Sequence, residues 1–420
     1  MGKSIVSIVK GNDIEKMVTE ALFHLGGVKK LIRPKSTVVI KPNAGHLNGP
    51  DTSVNTNPDV VAAVIKEIRK ANPKEIILAE SAAIGCDTME CLEISGIKKA
   101  AEEAGLDKII DIKKEKDLIK VPVRDGKSDI ARFRLPRFLI EADHIVNVPI
   151  FKSHCSMIFT CALKNLKGVV QDKAHYQMHQ TNLAEAMLDL WTVIKPDLMI
   201  ADLIRPAEGF GPHYAVPVDF GCIAASKDPV ALDATICRMI GLDIEKVHFF
   251  EPAKERAIGN YEESLIDIKG NSIKEVFKGL WQPHLEGMDI SGEYSINSEN
   301  ACSSCLSLIG LAMEKLKSLD EYENNKDANI FIGRKKEIPE GIPPERIVLM
   351  GDCLKRWRNK GIFVGGCPPI EDHPHWAIID RKPAEGDVED WRKRQANEME
   401  SFMRHMYRLK EEWENSRIGM

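Results

Sequence analysis

"TVVIKPN" (37–43), "PDVVAAVIKEIRKA" (58–71) and "EIILAES" (75–81) follow one another along the chain. The first and third are short runs rich in Val, Ile and Leu without strict alternation. That is the pattern of strands covered on both faces. The middle run carries apolar residues at 60, 61, 64, 65 and 68, one face of a helix. Asn57 supplies an N-cap and Pro58 a first helical residue. Strand, helix and strand in that order predict a parallel βαβ unit. The same logic predicts strands over 144–154 ("HIVNVPIFKSH"), 197–203, 221–228, 328–334, 346–353 and 361–367. Helices are predicted over 93–105, 181–194, 229–241 and 305–319. The expected class is α/β, a mostly parallel sheet flanked by helices.

The polar, aperiodic stretch "LEGMDISGEYSINSEN" (285–300) marks a boundary. It separates an α/β domain, 1–290, from a smaller α/β domain, 300–380. A charged tail, 386–420, follows. Its Met399, Phe402, Met406, Leu409 and Trp413 fall at helical spacing, so an amphipathic helix is predicted. That face is read as packing against the body or a sister subunit, which leaves room for a homo-oligomer.

The 420 residues are 43% apolar and 29% charged, with net charge −5. Slight acidity gives no reason to expect nucleic acid. No uninterrupted apolar run reaches the ~18 residues of a membrane span, and "MGKSIVSIVKGND" lacks the features of a signal peptide. The expected location is cytoplasmic, with no membrane partner. In a reducing compartment most of the ten cysteines are expected to be buried thiols.

Ligands of open α/β sheets bind at the carboxyl ends of the strands, and ionisable residues collect at these predicted ends. Lys41 and Asn43 close the first strand, and His46 lies in the loop beyond. Glu80 and Ser81 close the second. Lys152 and His154 close the third. Asp202 closes the fourth, followed by Glu208 and Gly209. Asp228 closes the fifth. The segment 152–179 is densest, adding Lys164, Asn165, Lys167, His175 and His179. Four lysines and three histidines suit a small anionic metabolite, a carboxylate or a phosphate. His154 and His175 are candidate acid–base groups, with Lys152, Lys164 and Asp202 beside them. Lys41, Asn43, His46, Asn165, Lys167, His179, Glu208, Gly209 and Asp228 are candidate binding residues.

"VVIKPN", "TNPDVVAAVIKEI", "EADHIVNVPIFKSH", "TCALKNLKGVV", "AHYQMH" and "ASKDPVALDATICRMIGL", in that order, resemble the family catalogued as domain of unknown function 362. The resemblance covers roughly residues 35–245. It implies an α/β domain often found with iron–sulfur clusters in anaerobes, and no particular reaction. Closely spaced ferredoxin-type cysteines, carried by many relatives, are missing from this sequence. The nickel-dependent lactate racemases are a more distant comparison.

Four cysteines depart from the packing default. Cys302 and Cys305 form "CSSC" at a predicted helix start, Cys353 ends "RIVLMGDC", and Cys367 ends "IFVGGC" before a proline pair. Parallel neighbouring strands bring their carboxyl ends together, so the last two thiols can meet the first two. Four thiolates suit a [4Fe–4S] cluster, with zinc as the alternative. The expectation is an iron–sulfur enzyme acting on a small anionic metabolite by redox or lyase chemistry, served by a redox protein partner. The alternatives are a non-catalytic electron carrier or assembly factor, and a racemase or isomerase with a structural cluster.

Overall fold

The computed structural model describes residues 2–154, 157–212, 214–282, 294–367, 369–370, 372–383, 386 and 388–416. The chain divides into two compact units, Met1–His154 with Phe159–Gln282, and Pro283–Met420 with Cys155–Ile158.

The first unit is built on strands β1 (Ser4–Lys10), β2 (Thr37–Pro42), β3 (Glu75–Glu80), β4 (Lys108–Asp111), β5 (Leu118–Pro122), β6 (Arg132–Pro136), β7 (His144–Val148), β8 (Ile150–His154), β9 (Ile158–Thr160), β10 (Leu198–Phe210), β11 (Tyr214–Pro217), β12 (Cys222–Ser226) and β13 (Ile266–Gly270). Its main sheet runs β13-β1-β12-β10-β7-β2-β3-β4. β2, β3, β4 and β7 are mutually parallel, as the opening βαβ unit requires. The helix Pro58–Arg69 starts on the Asn57 cap and buries Val60, Val61, Val64, Ile65 and Ile68. With Val38, Ile40, Ile76 and Leu78 they form one core layer. β5 and β6 make a separate hairpin.

Four details depart from the sequence reading. The run 144–154 is two strands broken at Pro149, which has no N–H to donate. Beyond the break β8 follows β10, pairing Asp202 with Ile150 and Ala207 with Lys152. β10 itself continues to Phe210, so Glu208 and Gly209 lie in a strand paired with β11, not in a loop. β12 runs antiparallel to both neighbours. Its carboxyl end, with Asp228 beyond it, therefore lies at the edge opposite the carboxyl ends of β2, β3 and β7. The predicted helix 93–105 is also two helices, Thr88–Ile94 and Ile97–Glu103. They are parted at Gly96, whose φ of 77° suits glycine.

The second unit holds a parallel sheet of β14 (Ser295–Asn297), β15 (Asn329–Ile332), β16 (Ile347–Met350) and β17 (Ile362–Val364), in that order. β14 falls inside the predicted boundary region. The helix Ser303–Ser318 lies between β14 and β15. The helix Val388–Ser416 buries Phe402 and Met406. It joins the helix Ser303–Ser318 through His405 and Glu314 at 2.7 Å.

Buried polar anchors fix the loops of the first unit. Asp189, fully buried, accepts from the Lys127 and Ser128 amides and from Arg256 Nη2 at 2.5 Å. Asp189→Ala leaves that guanidinium one carboxylate short in a dry site. The expected loss is about 3 kcal/mol of unfolding free energy in a urea titration. A change below about 0.5 kcal/mol contradicts this anchoring role.

Candidate functional site

The carboxyl ends of β2 and β3 carry Lys41 and Glu80, which are 1% and 2% exposed and 2.9 Å apart. Burial pushes the Lys41 ammonium down and the Glu80 carboxyl up, and the attraction between them opposes both shifts. The pair survives burial because its remaining valences are filled. Glu80 accepts from the Ala44 amide at 2.9 Å and the Ser81 amide at 2.8 Å. Lys41 donates to the Pro42 carbonyl at 2.6 Å and to Asn165 Oδ1 at 3.3 Å. Gly168 covers the pair, and its carbonyl accepts from the Ser81 amide. A Cβ on Gly168 would fall 2.2 Å from Glu80 Oε1 and 2.6 Å from Lys41 Nζ. Only glycine closes this corner.

Asn165 relays the pair outward. Its Oδ1 accepts from Asn43 Nδ2 at 2.8 Å, and its Nδ2 donates to Asn147 Oδ1 at 2.7 Å. Asn43 Oδ1 in turn accepts from Lys152 Nζ at 2.9 Å. Lys152 also donates to the Val54 carbonyl, in the loop that Thr56 ties to Asn43 and Val148. The acceptors of Lys152 are thus neutral. Burial, then the Lys164 charge, lowers it from 10.5 to about 7, against a smaller pull from Glu80.

Lys152 and His154 sit two residues apart on β8 and share one face of the strand. Burial, then Lys164, Lys152, Lys167 and His179, holds His154 well below the ordinary histidine range. Lys167 is lowered by burial and by Lys164. Its Nζ lies 2.7 Å from His179 Nε2, and its carbonyl lies 2.8 Å from His175 Nε2. His175 falls to about 3, through burial first and then Lys167. His179 is held low by burial, Lys167 and Lys164. The structure therefore brings together Lys41, Asn43, Lys152, His154, Lys164, Asn165, Lys167, His175 and His179. These groups form a largely buried cluster of amines, imidazoles and amides, whose carboxylate Glu80 is committed to Lys41.

Other candidates sit elsewhere or are occupied. Asp202 spends both oxygens on backbone amides, Asn57 at 2.8 Å and Ile204 at 3.0 Å, so it fixes the start of the helix Pro58–Arg69. Burial raises it to about 6. Glu208 accepts from the Trp281 amide at 2.8 Å, and the Gly209 amide donates to the Trp281 carbonyl. Asp228 caps the helix Pro229–Met239 and accepts from Ser4 and Asn260, at the opposite sheet edge. The backbone of His46 is bracketed by the Asn55 side chain. The sequence reading missed Asn147, Gly168 and Asp233. Asp233 accepts the Ala162 and Leu163 amides and orients the helical turn that carries Lys164 and Asn165. A polar residue inside the apolar run "HIVNV" was the available signal for Asn147.

In the second unit Met350 and Val364 pair, so Cys353 and Cys367 each follow three residues beyond paired strand ends. The Cys305 and Cys302 thiols are in hydrogen-bond contact. That contact, then burial and the charges of the Cys302, Cys353 and Cys367 thiols, pushes Cys305 up. A Cβ on Gly351, whose φ is 99°, would lie 3.5 Å from both Cys305 Sγ and Cys353 Sγ. All nine described cysteines are thiols. As the side chains stand, no group of three or more His, Cys, Asp or Glu among the described residues closes on a metal ion. The glycine cradle and the four converging soft donors nevertheless fit a sulfur-ligated centre. Pro368, part of the expected holder, lies outside the described residues.

The Lys41–Glu80 pair yields a cycle of variants. Glu80→Gln alone is expected to cost about 3 kcal/mol or more, while Lys41→Met with Glu80→Leu recovers most of that loss, both read by chemical denaturation. Additive losses contradict the coupling.

No helix among the described residues is long and apolar enough to cross a membrane. A thylakoid-associated protein of Synechocystis is 30% identical over 230 residues, covering 52% of this chain and 67% of that protein. Among solved structures, the lactate racemase apoprotein from Thermoanaerobacterium thermosaccharolyticum matches with TM-score 0.38 and 14% identity, over 57% of each chain. A Thermotoga maritima protein matches with TM-score 0.37 and 14% identity, over 91% of this chain and 86% of its own. The family model described as Domain of unknown function (DUF362) matches residues 38–238, and with that sequence relative it places the chain in this family.

Proposed function

We propose that the first unit is an enzyme site for a small carboxylate- or phosphate-bearing metabolite, with proton transfer to or from substrate as its chemistry. One observation carries this reading. Lys152 is a buried amine with neutral acceptors, lowered to about 7 among other lysines and histidines. An amine poised near neutrality serves as a general base when neutral and a general acid when charged. An arriving anion compensates the crowded positive charge of Lys164 and Lys167 and favours the charged form of Lys152. In the proton-transfer step the charged Lys152 gives its proton to a carbon or oxygen of the substrate and becomes the neutral amine. His154, held neutral on the same strand face, takes the proton that another position of the substrate loses. One proton given and one taken leaves the substrate's composition unchanged, which is isomerase chemistry. The Ser81 hydroxyl, buried without a partner among the described residues, is a further donor at the same strand ends.

A panel of C2–C4 carboxylates and phosphates, with neutral amide and alcohol analogues, tests this by thermal shift at pH 8. Anions are expected to raise Tm in the wild type, and Lys164→Met is expected to weaken that shift. Lys152→Met is expected to cut turnover of a responding substrate by about 10²-fold or more. Response to neutral compounds alone contradicts the reading. The depressed value of Lys152 also makes stability depend on pH. Its contribution is complete above 10.5 and is lost as pH falls through about 7.

A second reading applies to the other unit, where Cys302, Cys305, Cys353 and Cys367 would hold a [4Fe–4S] cluster. Such a centre supplies one-electron transfer. The glycine cradle between Cys305 and Cys353 favours it. Cys367→Ser, purified without oxygen, is expected to lose iron and acid-labile sulfide while the first unit keeps its thermal transition. Full iron content in that variant, or zinc alone in the wild type, contradicts it.

A further inference from the structure

Cys353 differs from the other three thiols in being exposed. It opens a 3₁₀ segment, Asp352–Lys360, whose sequence is "DCLKRWRNK". Beside it lies the β15 exit, "GRKK" (333–336). The two are fastened together. Arg356 donates to the Lys335 carbonyl, and to that of Lys336 at 3.2 Å. The Gly333 amide donates to the Cys353 sulfur, and Arg334 acts on that thiol electrostatically. Residues 334–336 and 352–360 hold seven cations against one carboxylate, in a chain of net charge −5. Lys355, Arg358, Lys360, Arg334 and Lys336 are all exposed. The single carboxylate, Asp352, is exposed and accepts from the Gly366 amide at 2.9 Å.

We propose that this basic collar around Cys353 is the docking surface for a small acidic one-electron carrier protein, which reduces a centre held by the four cysteines. The inference rests on the cluster reading above. Charge complementarity selects the occupant. A positive collar on an acidic protein steers a negatively charged partner to one face. Transient redox encounters bury little area, so charge rather than an apolar patch makes the interface. Cys353, the exposed thiol at the centre of the collar, brings the metal centre nearest to the partner. The step moves one electron from the reduced carrier to an oxidised [4Fe–4S] centre. No bond forms or breaks and no proton is transferred.

The test uses the full chain purified without oxygen and a plant-type [2Fe–2S] ferredoxin as the acidic probe. Binding of the oxidised probe is measured by calorimetry at 20 and 300 mM salt, and reduction of the chain by the reduced probe is followed by stopped flow. The wild type is expected to bind with a salt dependence of about tenfold or more in Kd. The triple variant Lys355→Glu, Arg358→Glu and Lys360→Glu is expected to lose binding and slow reduction by about tenfold or more. It is also expected to keep wild-type iron content and full reduction by dithionite. Iron present with salt-independent binding, or with unchanged rates in the triple variant, overturns the docking surface alone. Iron absent from the wild type overturns the cluster reading and the surface with it.

Discussion

The Lys41–Glu80 ion pair sets the terms for the first unit. Two charges at adjacent strand ends are withdrawn from water, which is costly unless every remaining valence is filled. The filling dictates local structure. Two backbone amides hold Glu80, a carbonyl and Asn165 hold Lys41, and a glycine closes the corner. Asn165 is thereby fixed, and through Asn43 it fixes Lys152. Glu80 is committed to Lys41, so Lys152 meets neutral oxygens. The low value of Lys152 comes first from its burial and then from the Lys164 charge, and Glu80, committed to Lys41, offsets only part of that.

Much of the architecture was legible because one opening segment declares it. The runs at 37–43, 58–71 and 75–81 gave a parallel βαβ unit on periodicity, with a capped helix that the structure places as expected. The errors have specific causes. Pro149 sits inside an apolar run that otherwise reads as one strand, and its missing N–H divides β7 from β8. The sense of β12 is a matter of pairing, invisible to local pattern, and it moved Asp228 to the far edge. β10 extends because β11 pairs with it, so apparent loop residues Glu208 and Gly209 became strand.

The candidate site was legible in kind but not in wiring. Lysines and histidines at strand ends announced a cationic cluster, and seven of them do converge, with Asn43 and Asn165 among them. Which acid neutralises which base depended on contacts across the sheet. Glu80 chose Lys41, and Asp202 chose two backbone amides. In the second unit the paired ends of β16 and β17 brought Cys353 and Cys367 level, as the parallel arrangement implied. The glycine at 351, with positive φ and two thiols about the place of its missing Cβ, became meaningful only in three dimensions.

Lys152 as an amine that regains its proton when an anion arrives is the central claim. Calorimetric titration at pH 8, with C2–C4 carboxylates or inorganic phosphate in two buffers of different ionisation enthalpy, measures that proton directly. The account expects uptake of a proton on binding in the wild type and its loss in Lys152→Met. Binding with no proton uptake in the wild type would contradict it.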